Sequence, residues 1–272
     1  MPGKFFAEPW RGVSYGPFAP DSSRKVDADF AHIAALGFNR VRLYELPDQA
    51  TLDAAMKHGL GLLCGIPWAE HVDFLSDATA WEDIRRRVAN GAAFLGRQEV
   101  VSAILIGNEI EKTLVRWMRP ERVRSALEEL IELARSQAPH KLVSYATYPS
   151  TEYLVPRNAD FLAVNVYLER REDYARYLAR LQNLAGNKPL VISEFGLDTA
   201  AHGEAAQKDV FQWFEAESLA GGCAGTFWFS YTDEWFRGGE EVTAWRFGLV
   251  TRERREREVC QIKPARLSPP AN

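Results

Sequence analysis

Only three of the 272 residues are cysteine, and Cys64, Cys223 and Cys260 lie far apart. An odd, dispersed set makes no disulfide framework, and Cys64 and Cys223 fall in predicted buried strands. Free thiols and a reducing, cytoplasmic setting are therefore expected. No Cys or His residues have the spacing of a zinc site, so neither metal nor cofactor is expected. No apolar run approaches the ~20 residues of a membrane helix. The start, Met1-Pro2-Gly3-Lys4-Phe5-Phe6, has no signal-peptide h-region. Internal repeats and low-complexity segments are missing too. The net charge is only −4, which gives no general pull toward nucleic acid or anionic membranes. What remains is a chain 46% hydrophobic and 26% charged, suited to a large core. Its length is close to the ~250 residues of one (β/α)8 barrel.

Eight short, mostly apolar, β-prone runs recur: residues 11–16, 39–44, 60–66, 101–106, 141–147, 161–167, 190–194 and 224–230. Helical segments separate nearly all of them. Asp21, Ser22 or Ser23 can N-cap a helix to Leu36, which Gly37 ends. Pro47-Asp48 opens a short helix that Gly59 closes. Thr79-Ala80-Trp81-Glu82 has capping-box spacing and starts a helix to about Gly96. Pro120 opens another, with Val123, Leu127, Leu130, Ile131 and Ala134 on one face. Tyr174, Tyr177, Leu178, Leu181 and Leu184 mark a helix that Gly186 closes, and residues 204–220 mark the last. Alternating units predict a parallel α/β sheet closed into a TIM barrel over residues 1–260, with a tail over 261–272. Two places are thin. Residues 148–160 hold only a short helix, and the charge-dense stretch 251–258 leaves the last helix short or incomplete, or the chain cut from something longer.

Two of the runs end alike. Ile104-Leu105-Ile106 stops on Gly107-Asn108-Glu109, and Leu190-Val191-Ile192 stops on Ser193-Glu194-Phe195-Gly196. The C-terminal strand ends of such a barrel line its active site. A pair of carboxylates there suits glycoside hydrolysis, which needs an acid/base and, with retention, a nucleophile about 5–5.5 Å away. One carboxyl must hold its proton while the other stays ionised. Arg42 and Tyr167, at the ends of the second and sixth strands, can support the ionised one. Asn108 can hold a sugar 2-hydroxyl.

These residues resemble a known group, the retaining (β/α)8 glycoside hydrolases with glutamates on strands four and seven. Gly107-Asn108-Glu109 is similar to their acid/base motif. Ser193-Glu194-Phe195-Gly196 is similar to the nucleophile motif, most like that of family 2 members. Val41-Arg42-Leu43-Tyr44 and Trp245-Arg246-Phe247-Gly248-Leu249-Val250 resemble family 17 β-glucan enzymes, and most closely the bacterial family-17-like domains that can be joined to glycosyltransferases. Glu45 departs from that pattern, where family 17 usually has Asp. The resemblance implies Glu109 as acid/base and Glu194 as nucleophile, with Arg42, Asn108 and Tyr167 beside them. It also implies Trp228 as a sugar-stacking platform, an oligosaccharide or polysaccharide substrate, and a possible glycosyltransferase domain or partner.

Further aromatic and polar residues follow strands three and eight: Trp68, Glu70 and His71, then Tyr231, Asp233, Glu234, Trp235 and Phe236. Aromatic faces with polar neighbours suit pyranose rings. Trp68, His71, Glu234 and Trp235 are the candidates for substrate contact, against the plainer reading of core packing, since Trp is largely buried on average. The other histidines, His32, His58, His140 and His202, read as surface or structural, and the 252–258 charge run as solvent-facing. Three classes stay open. One is a glycosidase or transglycosylase on β-linked glycans, with β-glucan expected; the others are a non-catalytic glycan-binding barrel and a metal-using barrel hydrolase.

Overall fold

Eight strands pair in sequence order, all parallel, and β8 closes back on β1. They are β1 (Trp10–Ser14), β2 (Arg40–Leu43), β3 (Gly61–Gly65), β4 (Val101–Asn108), β5 (Leu142–Thr147), β6 (Leu162–Asn165), β7 (Leu190–Phe195) and β8 (Gly225–Trp228). The computed structural model describes residues 5–20, 22 and 24–262. Strands β5 and β7 are buried along their whole length, as strands covered on both faces must be.

The connecting helices are α1 (Val26–Ala35), α2 (Gln49–Lys57), α3 (Ala78–Gly96), α4 (Lys112–Met118), α5 (Pro120–Gln137), α6 (Arg171–Ala185), α7 (Thr199–His202) and α8 (Glu204–Ala220). Their buried stripes follow the expected spacing. On α5 Val123, Leu127, Leu130, Ile131 and Ala134 all face inward. On α6 Tyr174, Leu178 and Leu181 do, whereas Leu184 lies exposed. Gly37, Gly59 and Gly186 each adopt positive φ just past a helix, where an L-residue would be strained.

Two expected caps differ. Asp77, not Thr79, caps α3, its carboxylate accepting from the Thr79 and Ala80 amides. Two residues of spacing let a short carboxylate reach both first-turn donors. Helix α1 begins at Val26 after Lys25, without a side-chain cap, so the Ser22 expectation fails. The Asp21 and Ser23 expectations lie outside the described residues. Residues 148–160 hold only a 3-10 turn, Glu152–Leu154. Beyond β8 the described chain forms a small hairpin, β9 (Phe236–Arg237) with β10 (Glu240–Glu241), and a 3-10 turn, Glu258–Gln261.

Side chains alternate along each strand. One set packs between the barrel and its helices. The other fills the barrel itself, where Trp10, Leu63, Leu105, Phe161, Val191 and Phe227 form a separate apolar cluster. Gly12 makes this possible, since a Cβ there would lie 2.1 Å from the Phe227 ring.

The charge run after β8 is not solvent-facing throughout. Arg257 is buried and grips both oxygens of Asp233, at 3.0 and 2.8 Å. Arg254 reaches Asp29 on α1 and Glu234. Burying a guanidinium requires paired acceptors, and these loops supply them. Cys64, Cys223 and Cys260 are free thiols, Cys223 lying in the turn before β8. Among the described residues no helix is long and apolar enough to cross a membrane.

Candidate active site

The inward-facing positions change character near the C-terminal strand ends. Two residues after Arg40, Ala163 and Val191 come Arg42, Asn165 and Ser193, all buried. Arg42 is 1% exposed and donates to Asn108 Oδ1 (2.7 Å), Asn165 Oδ1 (3.1 Å) and the Ser193 carbonyl (2.5 Å). Ser193 Oγ also donates to Asn165 Oδ1, at 2.8 Å.

This network reaches both glutamates. Glu194 accepts from Tyr44 Oη (2.8 Å) and Tyr167 Oη (2.7 Å), and lies 2.9 Å from Arg42 Nη1. Burial, with the Glu194 charge nearby, raises both phenols well above their usual range, so they remain donors. Three donors on one carboxylate match the acceptor-only ionised form.

Glu109 has a different setting. Its one side-chain hydrogen bond among the described residues comes from Asn165 Nδ2, at 2.7 Å. Burial first, and then the Glu194 charge, push its carboxyl up to about 7. Its φ of +56° is left-handed, a costly conformation that persists only where the surroundings hold it. Three successive amides are pinned here. Asn108 N donates to Glu70 Oε1 (2.8 Å), Glu109 N to the Ala146 carbonyl (3.0 Å) and Ile110 N to Tyr145 Oη (2.8 Å). Gly107 leaves the room, since a Cβ there would lie 2.8 Å from Glu70 Oε1. Burial pushes Glu70 up to about 8, with Glu109 adding to the rise.

The two glutamates open onto a cavity of about 620 Å³. Tyr44, Tyr167, Phe229, Trp235, Trp245 and Phe247 bring ring edges and faces to it, and Trp68, Glu70, His71, Glu111 and Arg237 add further surface. Tyr167 keeps 40% of its surface open while its hydroxyl turns in to Glu194. Trp235 packs edge-on against Tyr44 and Phe229 and is largely buried. The Trp68 indole donates to the Ile106 carbonyl at 2.5 Å.

Eight of the ten candidates from the sequence thus converge. Glu109, Glu194, Asn108, Tyr167, Trp68, His71 and Trp235 line the cavity, and Arg42 lies directly beneath. Two do not. Trp228 is wholly buried against Phe195 and Phe211, its indole bonded to the Phe247 carbonyl at 3.1 Å. Strand alternation turns it toward α8 and gives the cavity Phe229 instead. Glu234 turns away to Arg254 and Thr232, outside the cavity. Residues missed as supports include Tyr44, Asn165, Tyr145 and Phe229. Tyr44 alone had a visible signal, as the last residue of a strand-end run. Glu111 lines the cavity too, although it also caps α4. Among the described residues, no three His, Cys, Asp or Glu are grouped to hold a metal ion.

No family model and no curated protein match this chain. Solved structures do. A β-glucuronidase from Ruminococcus gnavus in complex with D-glucuronic acid aligns with a TM-score of 0.79 at 17% identity, over 93% of this chain and 48% of that one. A Bifidobacterium dentium β-glucuronidase complexed with coumarin-3-O-glucuronide gives 0.75 at 18%, over 93% and 45%. A GH5_18 variant from Streptomyces cattleya, in complex with Manb1-4GlcNAc, gives 0.73 at 18%, over 93% and 79%. At such identities the likeness establishes the shared TIM-barrel fold. The chain spans about half the length of these β-glucuronidases.

Proposed function

We propose that this chain is a retaining glycosidase acting on β-linked glycans, with β-glucan as the expected substrate. The observation that carries the reading is the pair of glutamates in one network but opposite settings. Glu194 is held by a guanidinium and two phenols. Glu109, raised to about 7, can hold a proton at neutral pH. One carboxyl that keeps its proton beside one that does not is the requirement for double displacement. The barrels of the structural neighbours, whose names include β-glucuronidases, support the same class.

In the first step a Glu194 oxygen bonds to the anomeric carbon while the bond to the leaving oxygen breaks. Glu109 gives that oxygen its proton. In the second step water attacks the glycosyl-enzyme, Glu109 takes the water proton, and Glu194 is released. A sugar hydroxyl in place of water gives transglycosylation. The ring-rich cavity favours keeping that alternative, in which the chain would remodel glucan made by a glycosyltransferase domain or partner. The free thiols fit a reducing, cytoplasmic setting.

The test is a digestion panel of β-linked oligosaccharides, with products followed by NMR. Retained β-configuration is expected, and products longer than the input would mean transfer. Glu194→Ala should fall to background and recover with azide, giving the inverted product. On a substrate with a good leaving group, Glu109→Ala should instead accumulate intermediate. Inverted product from the wild type would refute the double displacement.

A further inference from the structure

Outside the catalytic cavity, the connections after β3 and β4 carry two further indoles, Trp81 half-buried against the core and Trp117 largely open. Trp117 on α4 is 76% exposed, the most exposed large apolar side chain among the described residues. It is nevertheless fixed. Its indole Nε1 donates to Asp73 Oδ2 at 2.8 Å, and Asp73 accepts in turn from the Leu75 and Ser76 amides and from Ser76 Oγ. With its one polar atom tied down, the indole presents a flat apolar face in a set orientation.

Its position adds to this. Asp73 lies two residues from His71, and Glu111 caps the start of α4. Both His71 and Glu111 line the catalytic cavity. At 1.5 Å per helical residue, Trp117 lies about 9 Å along from Glu111, within reach of a short oligosaccharide. Next to the same loop, an open groove of about 390 Å³ runs between α3 and α5, lined by Leu75, Trp81, Arg122, Ser125 and Glu129 among others. Arg122 donates to the Leu75 carbonyl at 3.2 Å, which ties the groove to the Asp73 loop. An indole among charged and hydroxyl groups is the surface a sugar chain can use. Trp117 stands on the connection that follows β4 and Glu109, the residue that would protonate the leaving group, and the groove is tied to the Asp73 loop through Leu75.

We propose that Trp117 and the groove beside Trp81 form an extended glycan track, which holds the leaving-group side of a long-chain substrate. The inference rests on the glycosidase reading and deepens it, from a glycoside to a polymeric glycan. A track on this side also gives an acceptor chain a place to wait, should a sugar hydroxyl replace water.

The experiment compares wild type, Trp117→Ala and Trp117→Phe on an aryl β-glucoside and on β-linked glucan oligosaccharides of increasing length. Covering one indole face corresponds to about tenfold in affinity. In Trp117→Ala, KM for the hexasaccharide should therefore rise about tenfold with kcat unchanged. Aryl glucoside turnover should stay within about twofold of wild type, and Trp117→Phe should keep most of the long-chain advantage. KM values unaffected at every length, or raised equally at all lengths, would overturn the track and leave the glycosidase reading standing. If the wild type turns over none of these substrates, the β-glucan expectation fails. Calorimetric titration of the hexasaccharide then decides the track: weaker binding in Trp117→Ala than in wild type supports it, and equal or undetectable binding overturns it.

Discussion

At the N-terminal end of the barrel, inward-facing Trp10, Leu63, Phe161 and Phe227 pack as an apolar plug. Nearer the C-terminal ends of the barrel strands the inward positions hold Ser14, Arg42, Asn165 and Ser193. The plug obeys every packing rule, with rings meeting edge to face and Gly12 clearing space for Phe227. The mouth breaks several. It buries a guanidinium whose Nε has no partner among the described residues, and half-buries two raised carboxyls, one of them on Glu109 at left-handed φ. Replacing buried charge with apolar side chains of similar volume is often neutral or stabilising. Stability alone therefore gives no reason to keep such a network, and local rule-breaking of this kind concentrates at functional sites.

The sharpest way to break this comparison is to exchange the roles of the two ends. Glu194→Gln keeps the shape of the mouth and removes the proposed nucleophile, so kcat should fall by about 10⁴-fold or more. It also leaves the buried Arg42 guanidinium without its carboxylate, which should cost about 3–5 kcal/mol in urea unfolding. An unchanged urea midpoint would mean that the two are not a buried charge pair in solution. Phe227→Ala should instead separate stability from turnover. It opens a cavity in the plug and should cost about 3–5 kcal/mol in urea unfolding. The activity of the molecules that stay folded should be largely kept.

A smaller effect separates the ends by pH. The carboxyls of Glu70 and Glu109 are raised from an ordinary 4.5 to about 8 and about 7. Between those limits the folded state binds more protons than the unfolded one, so stability falls as pH rises from about 4.5 toward 8. Each group contributes at most about 1.4 kcal/mol per pH unit within its window. Glu70→Gln should remove the part of the slope that extends above pH 7. It should leave the basic limb of kcat/KM near 7, because Glu109 titrates while Glu70 still holds its proton. Urea titrations from pH 5 to 9 read the slope directly. Phe227→Ala, which alters no titrating group, should lower the whole curve without changing its shape.

The mildest changes grade the donors around Glu194. Arg42→Lys keeps a charge but loses the planar fork that serves Asn108, Asn165 and Ser193 together. Turnover should fall about 10²-fold, with the acidic limb of the pH profile moved up. Tyr167→Phe removes one neutral donor and should cost about tenfold in the same direction. An acidic limb unmoved in both variants would mean that neither residue supports Glu194. Circular dichroism checks that both remain folded.

Much of this was legible in the sequence. Strand alternation, helix stripes and terminal glycines act locally, so eight strands and the 204–220 helix follow from short windows. The pair of glutamates followed from strand ends, because a parallel barrel gathers those ends at one mouth. The misses share a physical cause. Trp228 and Phe229 are adjacent, both aromatic and both apolar, and a window cannot say which one a strand turns inward. Asn165 sits inside a run that reads as buried strand, yet it links Glu109 to Arg42 across the barrel. Arg254 and Arg257 look like a solvated charge run until Asp29, Glu234 and Asp233 are brought against them.

By itself the sequence determined the barrel, its order of elements and the two glutamates at strand ends, since each depends on periodicity within a few residues. Only the tertiary structure decided the different surroundings of the two glutamates. That difference depends on burial and on partners at the ends of β2 and β6, distant in the chain from both glutamates. Arg42 with Tyr44 and Tyr167 closes on Glu194, while among the described residues Glu109 has a side-chain hydrogen bond from Asn165 alone. Electrostatic environment falls off over ångströms in space, and no window of sequence measures that distance.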